Sequence, residues 1–408
     1  MIQIQPSRSI SNPLVNRKAG QGVRAIALMI FMRHILQITL GLTLAFAYGV
    51  SWAAPQDFSP ASDSVVVERL SPRVKPTVNT PEAAYEAAKQ QVNLARQTAD
   101  PRYLGRAQTT LAAWWNKPDA PPKLAILQAT IEQSRHEFSS ARMTLQTALQ
   151  RDPSQAQGWL TLATLERIAA NYIAADAACL KVASSGAALY ATACQMETAS
   201  LQGKFAEARA GFNNLQRQTN DASTKAWLMS LLAESEERAG QDAAALKAYQ
   251  TSLAMADDGY TALALADHLL RTAQAEAALK VLAQQVPSDS VMVRRAYAYK
   301  KIGDAGWKTL WAELRTRFSA LDARGDDPRL HARELALAAL WLEDNPAKAW
   351  VAAQLNLEIQ KEPIDWWLAL HSADAAARKD DVAAIRKQLQ SSGLRDLRLA
   401  RWLTDAKL

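Results

Sequence analysis

Catalysis and metal binding need convergent acid, base, nucleophile or ligand groups, and this chain offers few of them. Beyond residue 53 its histidines are His136, His268, His331 and His371. None has another histidine three or four residues away, so no helical metal pair arises. Two cysteines in the whole chain cannot build a four-thiolate zinc or iron–sulfur site. There is no glycine-rich phosphate loop and no Gly-x-Ser-x-Gly elbow. The one dense acid group, Glu234, Glu236 and Glu237, falls on a helical stretch and reads as a solvated face. His331, Arg333 and Glu334 form the most polar knot. After Asp326-Asp327-Pro328 they read as a helix start with charges solvated or paired three and four residues apart. The same knot is also a candidate partner contact. The expectation is a non-enzyme with no cofactor and no metal.

The elements that must carry these residues are helical. The 408 residues are 49% hydrophobic and 21% charged, with only 15 glycines, the balance of a chain with a packed core. Alanine makes up about a fifth of the chain, and alanine costs no side-chain entropy in a helix. No stretch sustains the period-2 alternation of a strand. The net charge of +7 is uneven: the first 53 residues hold five basic groups and no acid. Removing those five from 47 leaves 42 basic against 40 acidic groups. Clustered cationic surface is therefore lacking, and nucleic-acid binding is not expected.

The basic excess belongs to a leader. Met32-Arg33-His34 precedes an uncharged apolar run from Ile35 to Val50, and Ser51-Trp52-Ala53 follows. That is the three-part layout of a secretory signal, with cleavage expected after Ala53 and the signal proper over residues 32–53. Residues 1–31 read as an upstream extension, with Met29 or Met32 as candidate starts. The run is shorter than the roughly 20 residues of a membrane span, so membrane contact is expected only through this segment if it stays uncleaved. The expected location is the periplasm or outside the cell. Residues 54–79, rich in proline and serine, read as a linker.

From Thr80 onward one helix follows another at a fixed period. Ala141, Ala175, Ala208 and Ala245 recur at intervals of 34, 33 and 37 residues. Three residues before the first three stand Phe138, Tyr172 and Phe205; four residues after the alanines stand Leu145, Cys179, Phe212 and Tyr249. The small residue lets two helices approach, and the large ones fill the space beside it. Gly203 and Gly240 fall at turns within the repeats. The spacing predicts about nine helical pairs from Thr80 to about residue 390. Leu394, Leu397, Leu399 and Trp402 suggest a capping helix over 393–408. In this register Cys179 and Cys194 lie on neighbouring helices. An oxidising compartment would let them bridge if their Cα atoms lie within about 7 Å; two buried free thiols are the alternative. The paired tryptophans Trp114-Trp115 and Trp366-Trp367 read first as core. Neighbours on a helix diverge by about 100°, which puts one of each pair partly outside.

These residues resemble the tetratricopeptide repeat, a helix–turn–helix unit of about 34 residues. The resemblance is clearest from Ala120 to Ala256. It implies an all-α fold, a right-handed solenoid, with the repeat array over residues 80–392. A narrower resemblance, to one group of exported bacterial repeat proteins, rests on Asp100-Pro101-Arg102, Gln133-Ser134-Arg135-His136, Arg324-Gly325-Asp326, His331-Ala332-Arg333-Glu334 and Gln360-Lys361-Glu362-Pro363. It implies export from a bacterial cell and no particular activity. In such a solenoid the first helix of each repeat lines the inner surface. The register then points Gln133, Arg167, Tyr190, Glu197, Trp227, Glu234 and Arg238 inward. Mixed charges and two aromatics suit an extended peptide or a partner helix. The expected function is a periplasmic scaffold or adaptor for a cell-envelope protein, with no small-molecule ligand. The alternative is an accessory factor that binds an envelope glycan through exposed tryptophans.

Overall fold

A computed structural model describes residues 80–98 and 100–403. The leader, the linker and residues 404–408 lie outside the described residues. Among the described residues there are eighteen α-helices and no strand. They run as nine consecutive pairs: α1 (Pro81–Thr98) with α2 (Arg102–Thr110), α3 (Pro122–Ser134) with α4 (Phe138–Arg151), α5 (Ala156–Ile168) with α6 (Tyr172–Ser184), and α7 (Ala188–Leu201) with α8 (Phe205–Gln218). Then come α9 (Ala222–Arg238) with α10 (Asp242–Met255), α11 (Gly259–Arg271) with α12 (Ala275–Leu282), and α13 (Asp289–Lys301) with α14 (Trp307–Arg324). The last two pairs are α15 (Ala332–Trp341) with α16 (Pro346–Ile359), and α17 (Pro363–Ala375) with α18 (Lys379–Ser392). Among these helices none is long and apolar enough to cross a membrane.

The repeat register is visible as burial. Ala141, Ala175, Ala208 and Ala245 are fully buried, and so are Leu145, Cys179, Phe212 and Tyr249. Phe138, Tyr172 and Phe205 open α4, α6 and α8. Local signals start several helices: Asp221, Asp258, Ser288 and Asn345 each accept the backbone N–H three residues on, which removes one orphan donor at the helix start.

The turn inside each of the second to ninth repeats is built one way. His136, Ala170, Gly203, Gly240, Ala273, Gly303, Asp344 and Ala377 all have φ between 53° and 86°. At most of them the next residue donates its N–H five residues back, as Lys204 does to Ala199 and Arg378 to Ala373, both at 2.9 Å. This is the closing bond of a left-handed helix end, where glycine is the unstrained choice. The glycines at 203 and 240 announce the turn; the alanines at 170, 273 and 377 do not, though they occupy the same conformation. An L-residue there carries a cost of roughly 1–2 kcal/mol. Ala170→Gly and Ala377→Gly are therefore expected to stabilise the chain by about 0.5–1 kcal/mol each, net of the added unfolded-state entropy. Urea midpoints that fall on substitution would contradict this.

The array does not remain an open strip. Arg96 of α1 lies 3.6 Å from Asp258, just before α11. The loop before α17 returns to the end of α5, where Lys361 N–H donates to Ile168 C=O at 2.7 Å. The segment after α18 returns to α7, where Arg395 N–H donates to Leu201 C=O at 2.8 Å. One apolar core accordingly joins Tyr172 and Leu201 to Leu337, Trp366, Leu399 and Trp402. Where a capping helix was expected over 393–408, the described part is a short 3-10 turn, Leu397–Trp402. Gly393 ends α18 in the left-handed conformation, and Asp396 caps the N–H of Arg398. The segment is held against earlier repeats and does not continue the array.

Cys179 and Cys194 form a disulfide with a Cα–Cα distance of 5.6 Å. It ties α6 to α7, the helices on either side of a repeat boundary, and both residues are buried.

Candidate functional site

Charged pairs, mostly withdrawn from solvent, stitch neighbouring repeats together. Arg142 meets Glu166 at 2.7 Å, Arg167 meets Glu197 at 2.8 Å, and Arg294 meets Asp267 at 2.7 Å. Each pair joins one repeat to the next. Such pairs are hydrogen-bonded and partly desolvated, so their chief effect is to fix one packing arrangement rather than to add net stability. Arg238, buried beside Glu234 at 3.6 Å, also donates to Ser200 Oγ.

The inward residues therefore divide into two sets. Gln133, Arg167 and Arg238 are buried. Arg167 and Arg238 are engaged by their own chain, and the Gln133 side-chain oxygen is buried without a hydrogen-bond partner. None of the three presents a surface as the sequence reading expected. Tyr190, Glu197, Trp227 and Glu234 remain partly accessible. The Tyr190 and Trp227 rings lie 5.6 Å apart. Tyr260 of α11, which the sequence reading passed over, completes this row and is 56% exposed. Its hydroxyl lies in the field of the Glu234 carboxyl, which raises its pKa. The periodic signal for it existed, because Tyr260 stands 33 residues after Trp227, as Trp227 stands 37 after Tyr190. The accessible site is a row of three aromatics across α7, α9 and α11, edged by Glu197 and Glu234. Glu362, from the loop before α17, adds its negative field at the Tyr260 hydroxyl.

Glu234 is the electrostatically unusual member. Burial pushes its carboxyl up to about 7; Arg238 opposes the shift and Glu197 adds to it. The folded chain thus keeps a proton that the unfolded chain releases near pH 4.5, and this contribution to stability is lost as pH rises toward 7. The side chain is 20% exposed, so the effect is set at about 1–2 kcal/mol rather than the full value of the shift. Glu234→Gln should match the wild type near pH 5 and exceed it by that amount at pH 8. Thermal midpoints with the same pH dependence in both proteins would contradict the assignment.

The knot at 331–334 is drawn into the fold. Arg333 donates to Asp365 at 2.8 Å and to Glu362 at 2.6 Å, and Glu334 accepts from Ser290 at 2.6 Å. Burial pushes Glu334 upward, but Arg333, Ser290 and Arg294 outweigh it and hold the carboxyl below its ordinary value. His331 precedes α15 and is half-buried. His136 stands at the turn of the second repeat, stacked on Phe138 with ring centroids 5.4 Å apart. Burial lowers its pKa. Among the described residues no group of His, Cys, Asp and Glu is placed to hold a metal ion. No described tryptophan is among the exposed side chains: Trp366 is buried, and Trp367 stacks on His371.

No family model matches the chain, and no curated protein matches it. Among solved structures it is similar to pilF of Pseudomonas aeruginosa, 17% identical with a TM-score of 0.36, over 50% of this chain and 94% of that one. It is also similar to a tetratricopeptide repeat protein from Parabacteroides merdae, 12% identical with a TM-score of 0.36, over 71% of this chain and 98% of that one. A third is the P58(IPK) TPR domain, 13% identical with a TM-score of 0.21, over 73% of this chain and 99% of that one. With nine helix–turn–helix pairs among the described residues, a buried alanine at each well-formed repeat contact and a left-handed residue at each described intra-repeat turn, the chain is an all-α solenoid of tetratricopeptide-like helix–turn–helix repeats.

Proposed function

We propose that the protein is a non-enzymatic scaffold that binds a cell-envelope protein in the bacterial periplasm. The observation that carries the binding reading is the accessible row of Tyr190, Trp227 and Tyr260, edged by Glu197 and Glu234. Rigid aromatics give contact area at low entropic cost, and the two carboxyl groups add hydrogen-bonding capacity at its edge. An extended peptide or partner helix carrying basic and apolar side chains fits that surface. The leader layout supports export, and a disulfide is at home in an oxidising compartment.

Affinity capture from periplasmic extract, with wild type and a Trp227→Ala/Tyr260→Ala variant side by side, tests the reading. A protein retained by the wild type and lost from a folded variant is expected. Equal retention by both would overturn the assignment of this face. Intact mass of the recovered protein should begin at residue 54; a chain found uncleaved in the cytoplasm would overturn the location.

A further inference from the structure

The aromatic row has a second row beside it. Glu197, Glu234 and Asp267 follow Tyr190, Trp227 and Tyr260 by seven residues in α7, α9 and α11. Seven residues are about two helical turns, so each acid lies on the same face of its helix as its aromatic. Each acid also has an arginine, Arg167, Arg238 and Arg294 in that order. The pairs are not symmetrical. The acids are 21%, 20% and 26% exposed and the arginines 8%, 4% and 7%. The arginines are held from behind by further acceptors of the chain: Thr164 Oγ1 at 3.1 Å for Arg167, Ser200 Oγ at 3.0 Å for Arg238, and Ser290 C=O at 3.0 Å for Arg294. Where the arginine stands on a second helix, as in Arg142–Glu166 and Arg209–Glu236, it is the more exposed partner. The face with the aromatics therefore presents acids, with their cations set behind them. The charges that act most strongly on the Tyr260 hydroxyl are all carboxylates, Glu234, Glu362 and Glu197. Beside Arg238, Glu362 and Arg167, whose charges reach it, the buried Tyr172 hydroxyl has no hydrogen-bond partner, so the chain itself leaves bonding capacity here unfilled.

We propose that the two rows form one docking strip for an extended basic segment of the partner. Its arginine or lysine side chains meet Glu197, Glu234 and Asp267 in turn, and apolar side chains between them lie on Tyr190, Trp227 and Tyr260. Packed helix axes stand about 8–10 Å apart, and three residues of extended chain span about 10 Å. A cation at every third residue therefore keeps step with one acid per repeat. The acids supply the selectivity, because a segment of opposite charge would meet a carboxyl group at each step. The aromatics supply contact area. The inference rests on the scaffold reading and names the chemistry of its partner, and it has a test of its own.

The probe is a fluorescent peptide of repeated Arg-Pro-Leu units, with repeated Glu-Pro-Leu as its counterpart, titrated against the full chain by anisotropy at about pH 8. Burial holds the Glu234 carboxyl up to about 7, so it is ionised under these conditions. The basic peptide is expected to bind at least about tenfold more tightly than the acidic one, and a Glu197→Gln/Asp267→Asn protein to lose about tenfold of that affinity. Equal binding of the two peptides, or full affinity in the folded variant, would overturn the proposal. If the variant does not fold, a photo-crosslinker carried on the basic peptide decides on the wild type. Adducts on α7, α9 and α11 support the strip; adducts confined to other helices overturn it. The scaffold reading stands or falls separately. A captured protein lost on Trp227→Ala/Tyr260→Ala upholds that reading even where the two peptides bind alike and the strip is overturned.

Discussion

Replacing Arg333 by methionine should cost about 3–5 kcal/mol, the expected penalty for stranding a buried charge. Asp365 is fully buried and takes two hydrogen bonds from the Arg333 guanidinium, at 2.8 Å each. It also accepts from Asn356 Nδ2 at 2.7 Å and from Glu362 N–H at 2.8 Å. The last bond is half of the capping box that starts α17. Without the cation, the carboxylate must either stay charged in a dry site or take up a proton and weaken the cap. The loss should appear in the urea midpoint, and Asp365→Asn added to Arg333→Met should restore part of it. A variant as stable as wild type would show that this pair does not organise the contact between α15 and α17.

Removing the disulfide should produce the other large effect. The bond closes a loop of 15 residues, and a loop of that length is worth about 3 kcal/mol through the unfolded chain. Cys179→Ala/Cys194→Ala should lose that amount together with a smaller packing term, because both positions are buried. The comparison that isolates the cross-link is wild type unfolded with and without reductant. Identical unfolding curves would mean that the bond adds nothing.

The repeat frame was legible because its determinants are local. An alanine with an aromatic three residues before and a large apolar residue four after marks a close helix contact on any array, and every position singled out this way in the first four registered repeats is buried or half-buried. The site was only half legible for the same reason. Periodicity places a residue on a face, but it does not say what comes back to cover that face. Arg167 and Arg238 sit where the register puts them, and Arg333 at the helix start its sequence predicts, yet the chain's own carboxylates and Ser200 take up their hydrogen bonds. The return of Lys361 to Ile168 and of Arg395 to Leu201 spans about 190 residues, and no local pattern encodes it. The left-handed turns were missed wherever alanine holds them, since alanine ordinarily argues for continuing a helix.

The central claim, that the aromatic row on the inner face takes the partner, is tested most directly by photo-crosslinking in cells. The crosslinker is placed at Trp227 or Tyr260, with Lys247 on the outer helix α10 as control. The account predicts the same protein adduct from both inner positions and none from Lys247. Adducts of equal yield from all three positions, or from Lys247 alone, would contradict it.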